Sequence, residues 1–316
     1  MRVGEARPEL AIAELLTEIR ELAIAAAPPA WPELGAAIRA MLTEPLPPHS
    51  AIPLAMTQAA GGRLVDGVPF AVIWTLISAA VRILDDCADD DVPHALHRNV
   101  GFGRALNYAS AMLQLSTALL HALPRAAGRD ELLESYTAAS LQLAAGQDRD
   151  LVGEVSDVAS YVRIVEDKTC AGYEFACFGG ACVVGAPPPV QQACRRAGYH
   201  LGMVLQLLDD LESAWLPGGD LAHGRRTFPV WHGLARVEGA AAEELRGLVF
   251  GGEAEARAPQ LRRLLEDVEA PRSVLAAALE ERRLAMQALE RCPGPTDLLA
   301  SYFDFLFANA GSLLRR

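Results

Sequence analysis

The segment GVPFAVIWTLISAAVRILDDCADDD, Gly67 to Asp91, begins as eighteen residues of nearly unbroken apolar text and ends in five aspartates within seven positions. Its length and its Ala, Leu, Ile and Val content suit one long buried helix, which Pro93 closes. Arg82 and the aspartates interrupt the apolar run before the roughly 20 residues a bilayer crossing needs, so no membrane span is expected here. Acids at this end of a helix oppose its dipole, at a cost of about 0.3–1 kcal/mol each. Asp85 and Asp89 add like-charge repulsion at i,i+4. A local rule broken this heavily points to a function that removes the repulsion.

Outward from this segment the same helical period recurs. ELAIAELLTEIRELAIAAA, ALNYASAMLQLSTALLHAL, VLAAALEERRLAMQALERC and DLLASYFDFLFANAGSLL all place apolar residues at three- and four-residue spacing, and alternating strand-like text is nearly absent. Prolines and glycines fall between these windows, at Pro28-Pro29, Pro187 to Pro189 and Pro217-Gly218-Gly219 for example. The expectation is an all-α fold, a single-domain helical bundle over residues 1–316, with residues 1–30 as a peripheral helix. With 40 acidic against 28 basic residues in 316, the chain carries a formal charge of -12 and repels nucleic acid. The start MRVGEARPEL has no apolar leader, which reads as a cytoplasmic protein. Six cysteines show no CxxC pair and no Cys/His ligand spacing, so reduced thiols are expected.

A second apolar helix, GYHLGMVLQLL (Gly198 to Leu208), also ends in acids: Asp209, Asp210 and Glu212. On a helix Asp85 and Asp89 share a face, as do Asp209 and Glu212. Two oxygen-rich ends of this kind suit magnesium, which keeps waters and shares a few carboxylates with substrate phosphates. Bridging a diphosphate through Mg2+ would remove the repulsion at both ends. Candidate cations to hold that diphosphate are Lys168, followed by Thr169, and the basic loop Arg225-Arg226-Thr227. Gln147 and Asp150 end another apolar helix and form a polar rim.

In this order, the marks make the chain resemble the trans-isoprenyl diphosphate synthases, the polyprenyl synthetase family of the isoprenoid synthase superfamily, from about Trp31 to the C-terminus. DDxxD is matched by Asp85, Asp86 and Asp89, GQxxDL by Gln147, Asp150 and Leu151, and KT by Lys168 and Thr169. QxxDD is matched by Gln206, Asp209 and Asp210. The downstream DxxxGKxTxP resembles Asp220, Gly224, Arg225, Thr227 and Pro229, with Arg in place of Lys. The resemblance implies an α-bundle with a deep central cavity, usually a homodimer, and an allylic prenyl diphosphate as substrate.

Three departures matter. Chain-elongating members of the family carry a basic GKxxRP-like segment before the first acidic motif, whereas no Lys or Arg occurs here from Ala40 to Gly62. After the motif, where the family has an Arg pair, Arg98 and Arg104 are scattered. Ser213 stands where the family usually has its third Asp. The resemblance implies that the missing cations are those for isopentenyl diphosphate. A desolvated diphosphate needs several convergent cations or metals, so a terpene-synthase-like enzyme is expected: Mg-dependent ionisation of a C15 or C20 allylic diphosphate, then cyclisation, elimination or quenching. Its site residues are Asp85, Asp89 and Asp209 for metal, with Asp86, Asp210 and Glu212 as further ligands or groups behind the ligands, and Lys168, Arg225 and Arg226 for the diphosphate. Phe70, Trp74, Tyr173, Phe175 and Phe178 are candidates for the apolar lining, Trp74 as its floor below the small Ala80 and Val81. Prenyl transfer to another acceptor, elongation through Arg39, His49, Arg98 or Arg104, and a non-catalytic subunit remain alternatives.

Overall fold

The computed structural model describes residues 8–89, 94–153 and 155–313. Among these the regular elements are all helical, as the apolar spacing and the Ala/Leu content dictate. In chain order they are α1 (Pro8–Ala25), α2 (Pro32–Met41), α3 (Ile52–Ala59), α4 (Val68–Asp89), α5 (Leu96–Val100), α6 (Phe102–Ala122), α7 (Arg129–Val152) and α8 (Val158–Val165). There follow α9 (Ala171–Cys182), α10 (Pro188–Trp215), α11 (Asp220–His223), α12 (Phe228–Arg236), α13 (Gly239–Phe250), α14 (Ala254–Asp267), α15 (Ala270–Ala288) and α16 (Asp297–Leu313). A π-helical turn, Glu166–Cys170, joins α8 to α9. Prolines open α2, α3, α12 and α15 in their first turn, where a missing N–H costs little.

The chain forms two compact units. One comprises Met1–Thr137, Ala176–Cys194 and Arg291–Leu299, the other Ala138–Phe175, Arg195–Glu290 and Ala300–Arg316. At the centre of the first is α4, packed against α6 and α1. Ala71, Leu76, Ala80 and Ile83 of α4 are buried with Ile19, Ile38, Tyr108 and Met112, and each large aliphatic side chain so placed contributes about 1.5–3 kcal/mol. By length and composition the stretch Leu64–Asp89 could cross a membrane, but 67% of its apolar window is buried inside the protein, the burial of a core helix. Gly179 and Gly180 let other elements of this unit approach α9 closely. A Cβ on Gly179 would lie 1.9 Å from the Phe70 ring, and the Gly180 carbonyl accepts the Thr57 hydroxyl at 2.9 Å.

The second unit has its own core, in which Ala214 at the end of α10 meets Leu221, Val230, Leu245, Leu261 and Leu265. In this unit α12 packs against both α8 and α15. All six cysteines are free thiols, four of them buried.

Candidate active site

In the first unit the acidic end of α4 is the open part of an otherwise buried helix. Asp85, Asp86 and Asp89 are partly exposed, and so are Ser78 and Val81 on the turns before them. Val81 lies about 40° round the helix from Asp85, on the same stripe. Trp74 sits one turn below Ser78 and is 4% exposed; its indole N–H donates to the His49 carbonyl at 3.1 Å. Ala80 departs from expectation. It lies about 140° from Asp85 round the helix and is fully buried in the core, so it is a packing residue and not part of the stripe. Phe70 and Phe178 are likewise deeply buried, Phe70 against Gly179, and so is Phe175 of the second unit. Thr75 and Ser78 carry buried hydroxyls with no hydrogen-bond partner, a feature that apolar periodicity concealed. Asp90 and Asp91 lie outside the described residues.

The cations of this unit are engaged or exposed. Arg63, the first cation after the empty stretch, donates from Nε to Asp66 Oδ2 at 3.1 Å and from Nη2 to Oδ1 at 2.6 Å. Arg104 donates to the Tyr108 hydroxyl at 2.5 Å and stands over that ring. Burial, followed by the nearby Arg82 charge, holds the His49 imidazole down to about 4, so it is neutral at pH 7. Arg39 and Arg98 are exposed.

In the second unit the end of α7 docks on the π turn. A Cβ on Gly146 would lie 2.4 Å from the Lys168 nitrogen, so only glycine lets the two backbones approach this closely. Asp167 accepts from Gln142 at 2.9 Å and from Arg149. One turn along, Lys168 Nζ donates to Asp150 Oδ2 at 2.6 Å. The predicted rim residue Asp150 is thus the ion-pair partner of the predicted diphosphate cation. The Gln147 amide nitrogen is buried without a partner and is a donor available to a ligand. Where the sequence suggested one apolar helix around Lys168, the chain breaks into α8, the π turn and α9; π turns of this length often mark functional sites.

At the end of α10, Asp209 and Glu212 are exposed. Asp210 is not: it is 1% exposed, and it accepts from the Tyr161 hydroxyl, from Gln206 Nε2 at 2.8 Å and from the Phe228 backbone N–H at 3.0 Å. Thr169 in turn donates to Gln206 Oε1 at 2.8 Å. Burial lifts the Asp210 carboxyl to about 7 although all three hydrogen bonds pull the other way. Both Asp210 oxygens are thus occupied by hydrogen bonds inside the protein. Tyr161 carried no signal beyond its being the one aromatic residue in α8.

Beyond α10, the Ser213 hydroxyl accepts the Asp220 N–H at 3.2 Å, so this residue caps the next turn where an acid was missing. Arg225 stands 3.7 Å from Asp220 Oδ1 and its side chain is 38% exposed. The Arg226 guanidinium lies over the Phe250 ring, 5.1 Å from the centroid, a cation–π contact. The Thr227 hydroxyl is buried without a partner.

Among the described residues no three His, Cys, Asp or Glu side chains converge as a closed metal cage. The donors at the two acidic ends are nonetheless mostly hard carboxylate oxygens, with the Cys87 thiol the one soft group in the last turn of α4, a set that fits magnesium better than zinc or copper. An ion bound there must take part of its shell from water and substrate.

Both units are all-α, the first with an acidic end on α4, the second with an acidic end on α10 and the Lys168–Asp150 pair. Residues 50–266 match the polyprenyl synthetase profile, and the chain belongs to that family. It is 29% identical over 252 residues to the (2E,6E)-farnesyl diphosphate synthase of Mycobacterium tuberculosis strain H37Rv, covering 74% of this chain and 69% of the relative. Its fold matches geranylgeranyl pyrophosphate synthetase from Pyrococcus horikoshii with a TM-score of 0.81 at 20% identity, over 98% of this chain and 100% of the other. It also matches geranylgeranyl pyrophosphate synthase from Corynebacterium glutamicum, complexed with calcium and isoprenyl diphosphate, with a TM-score of 0.79 at 21% identity, over 100% and 99%.

Proposed function

We propose that the protein ionises one allylic prenyl diphosphate of C15 or C20 length in a magnesium-dependent reaction, and that the resulting cation is cyclised, deprotonated or quenched without isopentenyl diphosphate. The observation that carries this reading is the Arg63–Asp66 pair. Arg63, the first cation after the stretch without Lys or Arg, is paired with Asp66 of its own turn. His49 is neutral and Arg104 is engaged with Tyr108, which leaves the exposed Arg39 and Arg98 as the remaining candidates for a second diphosphate.

In this reading Asp85, Asp86 and Asp89 are candidate magnesium ligands within the first unit, and Asp209 and Glu212 are candidate magnesium ligands within the second. Bound magnesium would supply charge neutralisation of the leaving diphosphate. Lys168 and Arg225 bind the diphosphate oxygens by charge-assisted hydrogen bonds, with Asp150 and Asp220 holding each cation in place. Gln147 and Thr227 offer the buried polar groups that still lack partners. Val81 and Trp74 lie along the path of the prenyl chain, and apolar surroundings exclude water from the cation. We further infer a cytoplasmic homodimer.

Elongation with isopentenyl diphosphate is the second reading, favoured by the activities named for the similar proteins. Purified protein incubated with Mg2+ and geranyl, farnesyl or geranylgeranyl diphosphate, with and without isopentenyl diphosphate, separates the two. Hydrocarbon or alcohol from the C15 or C20 substrate alone supports the proposal. Longer diphosphates formed only when isopentenyl diphosphate is present would refute it, and activity confined to C10 would refute the chain length.

A further inference from the structure

We infer that Asp210 is a positioning residue that locks the Lys168–Thr169 turn and the Arg225–Thr227 loop into one frame, touching neither substrate nor metal. The inference rests on the diphosphate chemistry proposed above and assigns the buried carboxylate a different task from its exposed neighbour Asp209.

Its three donors come from three separate elements: Tyr161 from α8, Gln206 from α10 itself and Phe228 from the first position of α12. Two of these effects reach the diphosphate cations. By accepting from Gln206 Nε2, Asp210 fixes the amide orientation, so that Gln206 Oε1 is left to accept from Thr169, the neighbour of Lys168. By accepting from the Phe228 N–H, it caps α12, since Thr227 at the cap position provides no side-chain cap of its own. The loop that carries Arg225 is then held at both ends. Upstream, the Arg225 N–H donates to the Asp220 carbonyl at 2.9 Å, immediately after Gly224 in the left-handed region at φ 75°.

Only a carboxylate does this. Tyr161, the Gln206 amide nitrogen and the Phe228 N–H all donate, so Asp210 must offer acceptors alone. Asparagine in its place would turn an NH2 group toward at least one of them. It would release either the α12 cap or the Gln206 orientation.

The test uses the full chain, inorganic diphosphate and Mn2+, comparing wild type with Asp210→Asn, Tyr161→Phe, Arg225→Gln and the Asp210→Asn/Arg225→Gln double variant. Calorimetry gives the diphosphate affinity, electron paramagnetic resonance the number of Mn2+ ions bound, and hydrogen exchange the protection of the Phe228 amide. Asp210→Asn is expected to weaken diphosphate binding about tenfold or more, as for loss of a hydrogen bond to a charged group. The Mn2+ count stays unchanged and Phe228 exchanges faster. The milder Tyr161→Phe weakens binding about two- to fivefold. Asp210→Asn and Arg225→Gln combine to less than the product of their separate effects, because they act on the same loop. Loss of one Mn2+ ion in Asp210→Asn, fully independent effects in the double variant, or unchanged Phe228 protection in Asp210→Asn would each overturn the assignment. If wild type binds no diphosphate, the proposed chemistry falls by itself, and the Phe228 exchange in both single variants still decides whether Asp210 holds the loop.

Discussion

Replacing Gly146 by alanine would separate binding from stability in a way few other changes here can. The added methyl would sit 2.4 Å from the Lys168 nitrogen and 2.7 Å from the Asp167 carbonyl carbon, against about 3.4 Å for an ordinary contact. The end of α7 and the π turn must therefore part by about 1 Å. Overpacking of this kind costs about 1–3 kcal/mol, but alanine regains about 1 kcal/mol over glycine inside a helix. The net loss of stability is then only about 0–2 kcal/mol. The ligand site suffers more. A 1 Å parting takes the 2.6 Å Lys168–Asp150 bond to the limit of hydrogen bonding. It also displaces the cation by an amount that, in a well-oriented site, can cost on the order of a hundredfold. Urea unfolding and calorimetric binding of Mn2+-diphosphate, run on the same preparation, should show a nearly normal midpoint with affinity reduced at least about tenfold. Affinity within twofold of wild type would refute the role given to the Gly146 contact.

Other changes have equally definite outcomes. The His49 imidazole titrates near 4 in the fold and near 6.5 unfolded. The unfolded chain thus binds the extra proton between these values, so stability is full above pH 6.5 and falls as pH drops toward 4, by up to about 3 kcal/mol, less where water reaches the ring; His49→Gln should flatten that slope in urea titrations at pH 7 and pH 5. Thr57→Val leaves the buried Gly180 carbonyl without its 2.9 Å donor and should lower unfolding stability by about 1–3 kcal/mol, a loss that chemical denaturation will detect. Arg226→Ala should leave diphosphate affinity within about twofold, because its guanidinium lies on Phe250 and a cation–π contact at such a site is worth only about 0.5–1 kcal/mol; Arg225→Ala should cost much more in the same titration.

The helices were legible because apolar spacing and proline placement act locally, and α4 runs through the apolar stretch to Asp89. The acidic ends were legible for the opposite reason, since Asp85 to Asp89 and Asp209 to Glu212 break a local rule. What sequence concealed was which of two adjacent aspartates faces inward. Asp209 and Asp210 are about 100° apart on the helix, and only the packing of Tyr161 and Phe228 on α10 decides that Asp210 is the buried one. The same holds for Arg225 and Arg226, neighbours sent in different directions by Asp220 and Phe250. Ala80 was misplaced because residue size was weighed before angular position.

The π turn works as a phase corrector. In an uninterrupted α-helix Tyr161 and Thr169, eight positions apart, would diverge by about 80°, and both could not address one face of α10. One surplus residue accommodated in a π turn takes back about 100°, leaving the two nearly in line, and they do meet Asp210 and Gln206, successive turns of α10. Deleting one residue among Glu166–Lys168 would therefore yield a regular helix whose two hydrogen-bonding teeth, seven positions apart, stay in line, whereas inserting one would throw them about 100° out of mesh.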